Sequence, residues 1–150
     1  MSTAQMHAFT LLDIYTIEGS FRSAPNFKFE NFETVKAQTR QQVTQAVVLQ
    51  MDDGRRMLRV TLEMAVRWLG ADTITEKAQI ELLFAAEYVF TGEPDKATID
   101  NFALNVTPYN VWPYFREYVA NLSARMSLPR LTLPALTPGA NTPTWPQIEA

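Results

Sequence analysis

The chain of 150 residues has no cysteine and one histidine, His7. That excludes disulfides, thiol nucleophiles and Cys/His metal centres. Glycine is scarce, with five residues, and no Gly-x-Gly-x-x-Gly, Walker loop or Gly-x-Ser-x-Gly is present. A backbone cradle for phosphate is therefore not expected. Charged residues make up 19% of the chain, below the roughly 25% usual for soluble domains. Lys and Arg are scattered and the net charge is −3. Nucleic-acid binding needs a basic stripe to displace counterions, and none is visible. No apolar run approaches the ~20 residues of a membrane span. Met1–His7 lacks the basic and apolar regions of a signal peptide, so a cytoplasmic location is expected.

What is present is apolar: 47% hydrophobic and 11% aromatic residues. With so few charges, apolar surface is expected to be shared with copies of the chain or left open for a partner. Residues 8–22 read as a strand with apolar groups on both faces, which predicts cover on both. Ser23-Ala-Pro-Asn26 ends it. A second strand runs from Thr34 to about Met51, and Asp52-Asp-Gly54 makes a hairpin turn. The third alternates cleanly, with Leu58, Val60, Leu62, Met64, Val66 and Trp68 on one face. Gly70-Ala-Asp72 turns again. The fourth places Ala78, Ile80, Leu82, Phe84, Ala86, Tyr88 and Phe90 on one face. These strands exceed the usual ~5–6 residues, and a single helix cannot cover them, so oligomerisation is inferred.

Helical spacing starts near Lys96, with Ile99, Phe102, Ala103 and Val106 as a stripe. Thr107-Pro108 reads as a fresh helix start, with Thr as cap. Trp112, Phe115, Val119, Leu122 and Met126 form the next stripe. Pro113 opens or kinks this piece. Ala120 and Ala124 allow close approach of another helix. From Pro129 onward, prolines at 129, 134, 138, 143 and 146 exclude a long helix. The chain is thus divided into a domain at 1–136 and a Pro-rich tail at 137–150.

No constellation of catalytic residues emerges, so the chain is not expected to be an enzyme. His7 has no nucleophile beside it, and turn chemistry accounts for Asp52-Asp53. Two features remain. Phe27, Phe29 and Phe32 crowd one loop, either as anchors pinning it to the core or as an open apolar surface for extended chain segments. Arg116 and Glu117 are either a solvated pair or interface residues that set register.

Taken in order, several runs resemble the SecB family of export chaperones. They are Ile14-Tyr15-Thr16, Phe21 with Ala24-Pro25-Asn26, Leu58-Arg59-Val60-Thr61, Asn110-Val-Trp-Pro-Tyr-Phe-Arg-Glu117 and Pro129-Arg-Leu-Thr-Leu133. The resemblance implies an α+β protomer: a four-stranded antiparallel sheet with a long, Pro-interrupted helix on one face. It implies a homotetramer, a dimer of dimers whose interface takes in Trp112, Tyr114, Arg116, Glu117, Ala120 and Ala124. It implies an ATP-independent holdase without cofactors or metal, binding unfolded preproteins in apolar grooves, with Phe27, Phe29 and Phe32 in the client-contact region. Glu18 matches a position that the family uses to bind the SecA translocation motor. Arg22-Ser23 stands where a second acid is expected, and the family's C-terminal helix has no counterpart after Pro134. Some SecB-like chaperones serve toxin–antitoxin systems, so a dedicated antitoxin client is the alternative. A structural or adaptor oligomer without clients is a third reading.

Overall fold

A computed structural model describes residues 9–131 together with Leu133, Thr144 and Trp145. His7 and the boundary at 136/137 lie outside the described residues. Four long strands dominate: β1 (Phe9–Ser23), β2 (Lys36–Gln50), β3 (Arg56–Leu69) and β4 (Glu76–Phe90). They form one antiparallel sheet in the order β1-β4-β3-β2. β2, β3 and β4 make a meander through two tight hairpins. β1 reaches the far edge through a crossover holding two short 3-10 turns, Phe27–Phe29 and Phe32–Thr34.

The hairpin turns follow from local chemistry. Gly54 takes φ of 86° at the β2–β3 turn, where its N–H donates to Met51 O at 2.9 Å. Such a φ suits a residue without a β-carbon. At the β3–β4 turn the Asp72 carboxylate accepts from Ile74 N and Thr75 N, both at 2.9 Å, and from the Thr75 hydroxyl. These bonds hold its pKa down at about 2, the Thr75 hydroxyl contributing most.

Alternation along β3 and β4 sorts the sheet into two faces. Leu58, Val60, Leu62, Met64, Val66 and Trp68 are buried on one face with Ala78, Ile80, Leu82, Phe84, Ala86 and Tyr88. The other face carries ion pairs: Arg59 with Glu87 at 2.7 Å, and Arg40 with Glu63 and with Glu81, the latter at 2.9 Å. The buried face is covered by α1 (Lys96–Asn105) and α2 (Thr107–Arg125). Asp95 caps α1, its carboxylate accepting from Thr98 N at 2.8 Å. Thr107 does not cap α2. Val106 joins the two helices in a helical conformation, with no side-chain cap, and Pro108 falls in the first turn, where the missing N–H costs little. Pro113 lies inside α2. Val111, Trp112, Phe115 and Val119 are buried, and Leu122 and Met126 pack partly against them.

The expected two-sided cover of β1 is not found. The strand is an edge, and among its residues only Ile14 is buried. Register shifts between Leu11 and Asp13, and between Thr16 and Glu18, take Leu12 and Ile17 out of the pairing. The adjacent apolar pairs that suggested two buried faces are therefore accounted for by β-bulges, which add a residue to one strand and bend it. Leu11, Leu12, Tyr15, Ile17 and Phe21 stay exposed.

Candidate functional site

The inner face of β3 and β4 is buried along its length, although α2 is shorter than the strands. A 15-residue strand such as β4 spans roughly 50 Å at ~3.3 Å per residue. The 19 residues of α2 span roughly 28 Å. Outside the buried face the fold presents three apolar or mixed surfaces, and the polar sheet face carries a fourth.

The first surface is the outward side of α2. Pro113, Arg116, Glu117, Ala120 and Ala124 recur at helical spacing and are all exposed. With Ser123 and, from the exit segment, Leu128, Arg130, Leu131 and Leu133, they line a groove of about 730 Å³. Leu128 and Leu133 are buried and tie that segment to the core. Among the described residues no ion pair joins Arg116 to Glu117, as expected for helix neighbours that do not face each other. The other two expected interface residues lie elsewhere. Trp112 is only 6% exposed and packs against Phe115 with ring centroids 5.5 Å apart, so it belongs to the chain's own core. Tyr114 is 48% exposed and does not line the groove.

The second surface is the crossover. Its three phenylalanines separate by environment. Phe27 is 1% exposed, and Phe32 packs against it at 5.4 Å. These two anchor the loop, assisted by Ala24 N donating to Lys77 O at 2.7 Å and by a Lys77–Glu30 ion pair at 3.1 Å. Phe29 is 75% exposed, with only Lys28 Nζ 5.0 Å from its ring. An anchored loop thus presents a single aromatic to solvent.

The third surface is the β1 edge. Its outer row of backbone N–H and C=O groups has no strand beside it among the described residues, and Leu11, Ile17 and Phe21 flank that row. An unpaired apolar edge is a ready template for another extended chain. Leu12 and Ile17 are the two residues that the bulges leave out of the pairing; Leu11-Leu12 is visible in the sequence as an adjacent apolar pair at the first of them.

Glu18 belongs to the polar face. With Gly19, Ser20, Glu63, Glu81 and Leu83 it lines a shallow cleft of about 320 Å³, where Arg40 already holds Glu63 and Glu81. Arg22 on the same strand is paired with Glu76 at 3.2 Å. Nearby, Tyr15 donates its hydroxyl to Glu87 at 3.0 Å. Burial, with that carboxylate beside it, raises the phenol pKa. Among the described residues no group of three His, Cys, Asp or Glu is placed to hold a metal ion, and no helix is long and apolar enough to cross a membrane.

The strand order, the crossover from edge to edge and the long helix across one face define a SecB-like α+β fold. The chain matches no family model and no curated protein sequence. Among solved structures it is similar to the SecB-like chaperone Rv1957 of Mycobacterium tuberculosis, determined in complex with a ChAD peptide from the Rv1956 HigA1 antitoxin. The TM-score is 0.69 and the identity 21%, over 86% of this chain and 91% of that one.

Proposed function

We propose that this chain is a non-catalytic, ATP-independent holdase chaperone whose client is an extended segment of an antitoxin. The observation that carries this reading is the likeness in fold, across 86% of the chain, to a SecB-like chaperone solved with an antitoxin peptide. The chemistry of the open surfaces supports it. An extended client can pair with the free edge of β1 and lay apolar side chains against Leu11, Ile17 and Phe21. Phe29, presented by an anchored loop, offers an apolar contact with loose geometric demands. Several such weak sites on one assembly raise avidity.

The proposed assembly is a homotetramer, a dimer of dimers, in the cytoplasm. It would bury the exposed side of α2, where Ala120 and Ala124 permit close approach and Arg116 and Glu117 set register. General export delivery through SecA is the second reading. Glu18 favours it, while Arg22, paired with Glu76, puts a cation where the family pattern has an acid.

The test is to purify the full chain after co-expression with its neighbouring genes, identify bound polypeptides by mass spectrometry, and measure its solution mass. One antitoxin as the bound species supports the proposal, and Phe29→Ser should weaken that binding without changing the mass. A mixture of preproteins favours the export reading. A mass near four chains with no bound polypeptide, and no suppression of aggregation of an unfolded protein, overturns both in favour of an adaptor oligomer.

A further inference from the structure

The polar sheet face has an occupant. Trp145, in the C-terminal stretch, is half-buried. Its indole lies against two guanidinium groups, Arg40 Cζ 5.0 Å and Arg67 Cζ 4.6 Å from the ring centroid. Arg40 comes from the edge strand β2 and Arg67 from the inner strand β3. Arg40 on β2 sits opposite Ala65 on β3, and Arg67 lies two residues beyond Ala65 on the same face, opposite Gln38. The methyl of Ala65 leaves a shallow floor between the two cations, and Ala65 is fully buried.

Each guanidinium is fixed from its edge, which leaves its flat face free to stack. Arg67 donates through Nε and Nη2 to Gln38 Oε1, at 2.9 and 2.8 Å. Arg40 donates to Glu63 and, at 2.9 Å, to Glu81. A planar cation with its N–H groups occupied by in-plane acceptors is a preformed platform for an aromatic ring. Glu63 and Glu81 also line the Glu18 cleft, so Arg40 is shared between the indole and that cleft.

We infer that Arg40 and Arg67 form an aromatic-binding site on the polar sheet face, and that Trp145 is its built-in, displaceable ligand. The segment carrying Trp145 is thereby latched beside the Glu18 cleft. An incoming segment that brings its own aromatic side chain to Arg40 and Arg67 must displace Trp145. Tethering keeps the local indole concentration high, so the competitor must be present in excess or bind additional contacts.

The test uses the full chain labelled with 5-fluorotryptophan. Its three tryptophans, Trp68, Trp112 and Trp145, give three fluorine resonances, with Trp145 assigned from Trp145→Phe. The Trp145 resonance should lie away from the position of the free amino acid, and Arg67→Gln should move it to that position. Arg67→Lys, which keeps the charge and loses the planar face, should give an intermediate shift. Unchanged Trp68 and Trp112 resonances report an intact core in each variant. An eleven-residue peptide with the sequence of residues 140–150, added at millimolar concentration, should release Trp145. The same peptide with Trp145→Ala should not. A wild-type Trp145 resonance already at the free position, or one indifferent to Arg67→Gln, overturns the site. Failure of the tryptophan peptide to release Trp145, or equal release by the alanine peptide, overturns its displaceability.

Discussion

Thr16 on the edge strand β1 donates its hydroxyl to the phenol oxygen of Tyr118 on α2 at 2.8 Å. Through it the helix holds a strand that otherwise has a neighbour on one side only. Tyr118 is positioned for this by an edge-on contact with Phe84, ring centroids 5.9 Å apart. Thr16→Val and Tyr118→Phe should each destabilise the chain by about 0.5–1.5 kcal/mol, the net worth of such a bond. The double variant should cost less than the sum of the two. Urea unfolding at fixed protein concentration checks both statements.

The crossover phenylalanines should separate in stability measurements. Phe27 is 1% exposed, and Phe27→Ser should cost at least the about 3–5 kcal/mol typical of Phe→Ala in a core. Phe29→Ser, at a position 75% exposed, should stay within about 0.5 kcal/mol of wild type. Phe29→Ser is therefore the informative variant for client binding, because replacing all three phenylalanines would also remove core packing. Denaturant midpoints of the two single variants settle the point.

Gly19 makes room for a buried side chain. A β-carbon there would come within 2.5 Å of Leu82 Cδ2 and 3.4 Å of Glu81 O, and Leu82 is only 3% exposed. Gly19→Val should therefore overpack the β1–β4 contact and cost about 1–3 kcal/mol. Ser20→Ala, its exposed neighbour, should be close to neutral. Thermal unfolding of both variants at equal concentration is the measurement.

Acid should weaken the β3–β4 turn through Asp72. Its pKa is lowered from 3.8 to about 2 by bonds from the Thr75 hydroxyl and the Ile74 and Thr75 amides. The unfolded chain therefore takes up this proton at higher pH than the folded chain. The stabilisation is fully present above the unfolded value, declines as pH falls below it, and is gone once pH passes below the folded value. Asp72→Asn should lower the melting temperature at neutral pH, and the difference from wild type should shrink between pH 5 and pH 2.

Much of the scaffold was legible because its rules are local. Period-two burial of Leu58 through Trp68 and of Ala78 through Phe90 needs no more than the pleat. Asp-Gly at 53–54 and Asp72 carry the turns in their own side chains and dihedral preferences. The spacing of Ala120 and Ala124, four residues apart, likewise puts these two on one side of α2. Thr107 was misread because continuation of a helix depends on the residue preceding it, and Val106 is held in helical geometry by α1. β1 was misread because a bulge and a two-sided strand give the same run of adjacent apolar residues, and only the partner's register tells them apart.

The sequence by itself determined the alternation, the hairpin turns, the long second helix, the absence of thiol chemistry and the order of SecB-like runs. Those properties are set within a few residues of chain. The tertiary structure alone decided which of three neighbouring phenylalanines is core and which is exposed. It also left β1 without a second strand neighbour among the described residues and seated Trp145 against two arginines drawn from different strands. Burial depends on what the rest of the chain can reach: β3 and β4 lie inside the sheet under the helices, while β1 at its edge keeps only Ile14 buried.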